Sequence, residues 1–479
     1  MKILCLKTKG KPVFFLFLIL FCVHTAIPNN LFGITIKEEE ELSKEFLKVI
    51  EKRYDIIRDP LITDYVNRVG HNILSAMPPQ PFPYHFYVVK QHVYNAFATP
   101  AGHIFINSGL LAAFDREEEL AGILAHEIAH VVCRHISQRI DRAPKIGLAT
   151  LAGIAAGIFL GAGGTAALGN AVAMGSIAAG QSVSLAFSRE DELQADQLAL
   201  DYLYQSGYSA DGLLSAMKKI RSKQWFGTDQ IPNYLMTHPA SEERMAFIDS
   251  WIENNPMAPE SKRNIDRKKF LLVKATLMGK YGDEQTASVL QSQVKAAPED
   301  PLANYAFALA LAENGNRKDA LKYLHKALEK EALNPYLIKE LGRIYFLDGA
   351  YEKARNSLEG AISVIPNDTE ALFYLGRSYM ELNQLEKARD TFHTLLQKDP
   401  SDKETYLFLG NIYGRQEKLG EAHYYLGIYY KMNNRWKTAA VHLTKALQHT
   451  TDPKKKEELE DMLKTVQKES KRAAAEKRN

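Results

Sequence analysis

His126-Glu127-Ile128-Ala129-His130 sits inside a stretch, Arg116 to about Ile140, whose apolar spacing predicts one long helix. Asp115 opens it, and Glu117, Glu118 and Glu119 fall in its first turn, where they complement the helix dipole. Four-residue spacing puts both imidazoles on one helix face, about 6 Å apart, so both reach one tetrahedral zinc ion. Glu127 points about a hundred degrees round the helix, beside the ion rather than at it. From there it can deprotonate an attacking water and pass the proton to a leaving amine. Five-residue patterns also occur by chance on amphipathic helices, so this one needs company.

A catalytic zinc takes three protein ligands and keeps one position open. The segment Ser188-Arg189-Glu190-Asp191-Glu192-Leu193-Gln194-Ala195-Asp196 offers carboxylates on a second predicted helix, Asp191 to about Ser206. Glu192 and Asp196 share a face, so one can bind metal while the other hydrogen-bonds a ligand histidine. Spacing alone does not choose among Glu190, Glu192 and Asp196.

Upstream, two helices are expected between Glu38 and Ala76, carrying Leu42, Phe46 and Ile50, then Leu61, Tyr65, Val69 and Ile73, divided at Asp59-Pro60. A proline-rich turn leads to a strand, His85 to Val89, and Ala101 to Asn107 reads as a second. Ile146 to Ser188 carries no charged side chain, and eighteen of the thirty residues from Leu151 to Gly180 are Gly or Ala. Two readings compete for it: a helical hairpin buried in, or lying on the surface of, a soluble enzyme, with peripheral membrane contact, or a transmembrane hairpin.

After Asp266 the sequence becomes periodic. Gly342, Gly376 and Gly410 are 34 apart, as are Tyr345, Tyr379 and Tyr413, and Ala354, Ala388 and Ala422. Small residues recur where paired helices approach closely, and the aromatic fills the gap between pairs. Gly427 and Ala439 restart the spacing 17 residues after Gly410, so the last unit shares a helix with its predecessor. Such an array supplies a concave surface for a peptide or protein. Residues 453–479 are densely charged, a solvated capping helix fraying into a tail.

Lys2, Lys7, Lys9 and Lys11 precede an apolar run from Val13 to Val23, the layout of a secretory signal over residues 1–26. Export, to the periplasm if the source is Gram-negative, follows. Past the signal Cys133 stands alone, so neither an internal disulfide nor a thiolate cluster is available. Sixty basic against 57 acidic residues leave a net charge of +3 and no electrostatic case for nucleic acid.

The region Glu38–Glu253 resembles the M48 class of zinc peptidases, matching its histidine helix at His126, Glu127 and His130. The resemblance implies that Glu192 is the third ligand and Asp196 the carboxylate behind a ligand histidine. Asn95-Ala96-Phe97-Ala98 with Gly102-His103-Ile104-Phe105-Ile106 is similar to the strand ahead of the catalytic helix, with Ala101-Gly102 where a paired glycine is usual. Peptidases of this type add an extended peptide to a sheet edge, so His103, Ile104, Phe105 and Ile106 are the expected edge. His238-Pro239 and Arg244 also match the class: His238 would serve the oxyanion or occupy the open zinc position at rest, and Arg244 would orient a carboxylate. His135, five residues past His130, is expected at the surface. The grid over Pro298–His449 resembles the tetratricopeptide repeat. An exported M48 domain with such repeats resembles the beta-barrel assembly-enhancing protease group of Gram-negative bacteria. That implies quality control of outer-membrane proteins and contact with their assembly machinery.

The expectation is therefore an α+β, mostly helical, zincin-like metallopeptidase domain at 38–260, then an all-α repeat solenoid at 285–450. It binds one Zn2+ per chain and hydrolyses peptide bonds. Two rivals remain: a chaperone or scaffold with a latent zinc site, and a membrane-embedded peptidase using 146–188 as a hairpin.

Overall fold

The computed structural model describes residues 34–142, 187–226 and 233–476. The expected signal and nearly all of the Gly/Ala run lie outside them. Among the described residues no helix is long and apolar enough to cross a membrane.

Helix α1 (Ile36–Arg53) is opened by a reciprocal cap: the Thr35 hydroxyl accepts the Glu38 N–H, and the Glu38 carboxylate accepts the Thr35 N–H. It buries Leu42, Phe46 and Ile50. A two-residue strand β1 (Ile56–Ile57) precedes α2 (Pro60–Leu74), which Asp59 caps through the Leu61 N–H while Pro60 supplies a helical φ without needing a partner.

Strands β2 (His85–Val89), β3 (Ala96–Thr99) and β4 (His103–Asn107) complete a sheet of order β1-β2-β4-β3. β2 runs parallel to β4, with His85 opposite His103; β3 runs antiparallel to it, with Ala96 opposite Ile106. This corrects the expected edge. His103, Ile104, Phe105 and Ile106 are bonded on both sides, whereas β3 pairs with β4 alone among the described strands. The cause is the turn at 100–102, which folds the chain back so that the residues before it become the rim. Ala101 (φ 61°) and Gly102 (φ 82°) are both left-handed there, so β4 starts at His103 rather than Ala101. Glycine takes that conformation freely; at Ala101 it costs roughly 1–2 kcal/mol.

A short α3 (Ser108–Ala113) leads to α4 (Glu117–Val132), buried over nearly its whole length. The single helix expected to about Ile140 is broken: Arg134 turns left-handed (φ 55°) and α5 (His135–Arg142) sets off anew. α4 packs against α6 (Arg189–Ser206) and α7 (Asp211–Phe226). Gly122 allows that approach, since a Cβ there would lie 2.6 Å from the Leu213 backbone. The buried Glu117 ties the start of α4 to its neighbours, accepting from the Tyr208 hydroxyl at 2.8 Å, Arg68 at 2.8 Å and the Tyr65 hydroxyl. α8 (Asn233–Thr237) and α9 (Glu242–Asn254) close this part.

From α10 (Arg267–Tyr281) onward the described chain is helical hairpins. α11 (Glu284–Ala296) leads into the pairs α12 (Pro301–Glu313) with α13 (Arg317–Lys330), and α14 (Pro335–Leu347) with α15 (Tyr351–Ile362). α16 (Thr369–Glu381) pairs with α17 (Leu385–Lys398), then α18 (Lys403–Arg415) with α19 (Leu419–Met432). The periodic glycines sit where sister helices touch: a Cβ on Gly342, Gly376 or Gly410 would meet Leu358, Phe392 or Leu426 at 2.6, 2.8 and 2.7 Å. Gly427 on α19 presses likewise on Leu443 of α20 (Trp436–His449), so α19 closes one unit and opens the next. α21 (Pro453–Glu476) covers the end, bonding Glu421 through Lys455 and the Tyr424 hydroxyl through Glu458.

The two parts meet in a buried ionic cluster. Lys280 of α10 bonds Asp59 (2.7 Å), Glu340 (3.3 Å) and Glu370 (2.7 Å), while Lys339 bonds Glu370 (3.0 Å) and Arg343 bonds Glu340 (2.6 Å). Asp59, Glu340 and Glu370 are close enough together to hold a cation, and the Lys280 ammonium is that cation.

Candidate metal centre

α4 supplies His126 and His130 one turn apart, and α6 lies alongside to supply Glu192 and Asp196. Ser188 and Asp191 cap α6 reciprocally, which uses Asp191 and starts the helix in the register that buries Glu192 and Asp196 but leaves Glu190 exposed. Behind α8 the chain brings His238 over the same spot. The His238 N–H donates to the Tyr234 carbonyl (2.8 Å), the Phe187 N–H to the Thr237 carbonyl (3.1 Å), and Tyr234 stacks on the His238 ring at 4.6 Å.

Nε2 of His126 lies 3.0 Å from Nε2 of His130 and 3.5 Å from Glu192 Oε2; Nε2 of His130 lies 3.4 Å from Glu192 Oε1. His238 Nδ1 is 3.4 Å from His126 Nε2 and 3.0 Å from Glu192 Oε1. Four donors around a tetrahedral ion with bonds of about 2.0–2.1 Å sit roughly 3.3–3.4 Å apart. The residues present therefore fit such an ion. All four are buried, and His238 Nε2 makes no hydrogen bond.

The surrounding groups hold these donors in place. His126 Nδ1 is 3.0 Å from Asp196 Oδ1, and Arg244 grips Asp196 through Nε (2.6 Å) and Nη2 (2.8 Å) while its Nη1 pairs with Glu192. His135, expected at the surface, is buried: its Nδ1 bonds His130 Nδ1 at 2.9 Å and its Nε2 meets Gln194 Oε1 at 3.1 Å. The break at Arg134 swings it behind His130, where it orients that ring. His103, Ile104, Phe105 and Ile106 are not brought into the centre; β3, one strand closer, is.

Burial pushes the Glu192 carboxyl up, but His238, Arg244 and the two imidazoles outweigh it and hold its pKa well below the usual range. Asp196 is lowered in the same way, burial being overcome by Arg244 and His126. Burial opposes charge on His126 as well, yet hydrogen bonds with Asp196 and Glu192 carry it up to about 9. His130 goes the other way: burial dominates and keeps it neutral. Glu127 shares the pocket without a hydrogen bond to either carboxylate oxygen; burial raises its pKa, against the nearby His238 and His126 and the Ala98 backbone of β3. A buried carboxylate with raised basicity, 3.7 Å from His238 Nε2 and beside three convergent ligands, is placed to take a proton.

Fold and centre together define a metallopeptidase domain with a helical-repeat array behind it. Residues 60–252 match the model of Peptidase family M48, and 305–371 and 345–412 match tetratricopeptide-repeat models, so the chain carries an M48 peptidase domain followed by tetratricopeptide repeats. It is 27% identical over 319 residues to the beta-barrel assembly-enhancing protease of Yersinia pestis, covering 66% of this chain and 63% of that protein. The protein of that name from Escherichia coli (strain K12) is 26% identical over 340 residues, 70% of this chain and 67% of its own. Metalloprotease LoiP of the same organism is 29% identical over 187 residues, 39% of this chain and 68% of its own.

Proposed function

We propose that the chain is a zinc-dependent endopeptidase of the cell envelope whose repeats hold a protein partner. The observation that carries this is the tetrahedral spacing of donors from two helices beside the buried Glu127, whose carboxylate lies 3.7 Å from His238 Nε2. His126, His130 and Glu192 would hold one zinc, and Asp196, Arg244 and His135 fix the ligands' orientation. Zinc bound there supplies Lewis acidity to the scissile carbonyl and the attacking water. Glu127 accepts the water's proton and returns it to the departing amine. An extended peptide adds alongside β3, Ala96–Thr99, the outer strand among those described, whose Ala98 backbone meets Glu127.

Every group in the centre is buried, and His238 lies at the fourth corner, so the arrangement is a resting one. Withdrawal of the segment carrying His238 admits substrate, which accommodates the latent-site reading as a state of the same enzyme. Export to the periplasm and action on stalled outer-membrane proteins, with contact to their assembly machinery, follow from the resemblance to the assembly-enhancing relatives. The test is casein cleavage by wild type and Glu127→Gln at equal zinc content. The variant should be slower by about 10²–10⁴-fold; cleavage at the wild-type rate removes Glu127 from the mechanism.

A further inference from the structure

His423 on α19 and His442 on α20 bring their rings together, with one Nδ1 3.0 Å from the other and the ring centroids 5.1 Å apart. Among the described residues neither ring makes another hydrogen bond. Tyr430 stacks on His442 at 5.2 Å and fixes its plane. Burial works against charge on both rings, aided by Lys445 and by neighbouring imidazoles, and this favours the neutral form that ligates metal.

Repeat packing does not call for this pair. His423 lies four residues before Gly427, and His442 three after Ala439. The same two positions hold Ile338 and Ser357 in one earlier unit, Leu372 and Thr391 in the next, and Tyr406 and Tyr425 in the third, where the rings pack at 6.3 Å. An aliphatic chain, a hydroxyl or a phenol therefore satisfies the packing. Of these units, the one built on the shared helix α19 alone sets imidazole against imidazole.

Two Nδ1 atoms this close cannot both carry hydrogen, so either one donates to the other or both bind a third body. Bonds of about 2.0–2.1 Å at right angles put two donors about 2.9 Å apart, whereas tetrahedral bonds put them about 3.3–3.4 Å apart. The observed spacing suits adjacent corners of a tetragonal ion, the preference of Cu2+ and Ni2+, and imidazole nitrogen is a good donor to both. Both rings are half-buried, which leaves the other corners to water.

We propose that His423 and His442 form a second metal site, which binds a divalent copper or nickel ion through the two Nδ1 atoms and ties α19 to α20. Each ring then carries its proton on Nε2. The site is independent of the peptidase centre and uses none of its residues.

The test takes the zinc-loaded full chain with Cu2+ as the probe, read by electron paramagnetic resonance. One equivalent of Cu2+ should give a tetragonal spectrum split by two nitrogens. His423→Ala and His442→Ala should each abolish that splitting. The double variant His423→Tyr with His442→Tyr rebuilds the phenol pair of the preceding unit. It should keep the packing and still lose the splitting, so the test stays open if an alanine variant folds poorly. His393→Ala, which removes a repeat histidine bonded to the Tyr413 hydroxyl at 3.0 Å, should leave the spectrum unchanged. Zinc content of the same samples should stay constant, so a failure here is separable from a failure of the peptidase reading. Absence of bound copper, copper without the two-nitrogen splitting, a splitting that survives in the double tyrosine variant, or one that vanishes with His393→Ala overturns the proposal.

Discussion

Asp196 bonds His126 on one side and is clamped by Arg244 on the other, so its effect on metal is exerted through a ring it holds. Asp196→Asn keeps the shape but loses the charge that fixes the His126 tautomer. Zinc affinity, read by competition with a chromogenic chelator, should fall about 10–100-fold; unchanged affinity would show that His126 needs no such support. His126 and His130 were legible in the sequence because helical spacing alone sets their common face, and Glu127 because the same spacing puts it about a hundred degrees round, beside them. By spacing Glu192 was one of three acids, since the choice depends on where Ser188 and Asp191 start α6, and only the family resemblance singled it out. His135 was misread for a definite reason. On an unbroken helix it points away from His130, and nothing in a Cys-Arg pair announces the left-handed turn that brings it back.

At the scale of elements, the helices and the repeats followed from periodicity, while the strands were legible as segments but not in their order. Which of β3 and β4 lies outside depends on the turn at Ala101-Gly102, a tertiary matter that alternation along each strand does not encode. The sheet carries its own titration. His103 on β4 bonds the Tyr87 hydroxyl (2.9 Å) and stacks on His85 (4.9 Å), and burial, aided by His85, lowers its pKa to about 4. In the unfolded chain a histidine takes its proton near pH 6.5. The unfolded state therefore binds more protons between these values, and folding stability falls as pH drops from about 6.5 towards 4. Denaturant midpoints at pH 7.5 and 5 should differ in wild type and differ less in His103→Leu; an identical pH slope in the two chains would contradict this.

Across the whole molecule, Asp59 at the start of α2, Lys280 on α10, and Glu340 and Glu370 on the repeats join the peptidase part to the array through buried charge. Burial works against the Lys280 ammonium, yet Asp59, Glu340 and Glu370 hold its pKa well above the ordinary lysine range. Removing it leaves buried Asp59 without its cation, and Glu340 and Glu370 with only Arg343 and Lys339, so Lys280→Met should cost about 3–5 kcal/mol in denaturant unfolding. The more exposed Lys455–Glu421 pair is the control, and Lys455→Met should cost under about 1 kcal/mol. Equal costs would mean that the cluster does not join the parts. None of this was legible from residue order, because residues 59, 280, 340 and 370 are neighbours only once the solenoid has docked. The central assignment is most directly tested by native mass spectrometry of zinc stoichiometry in wild type, Glu127→Gln and Glu192→Gln. One zinc per chain is predicted for the first two and its loss from the third; a Glu192→Gln chain that keeps its zinc as firmly as wild type would contradict the assignment.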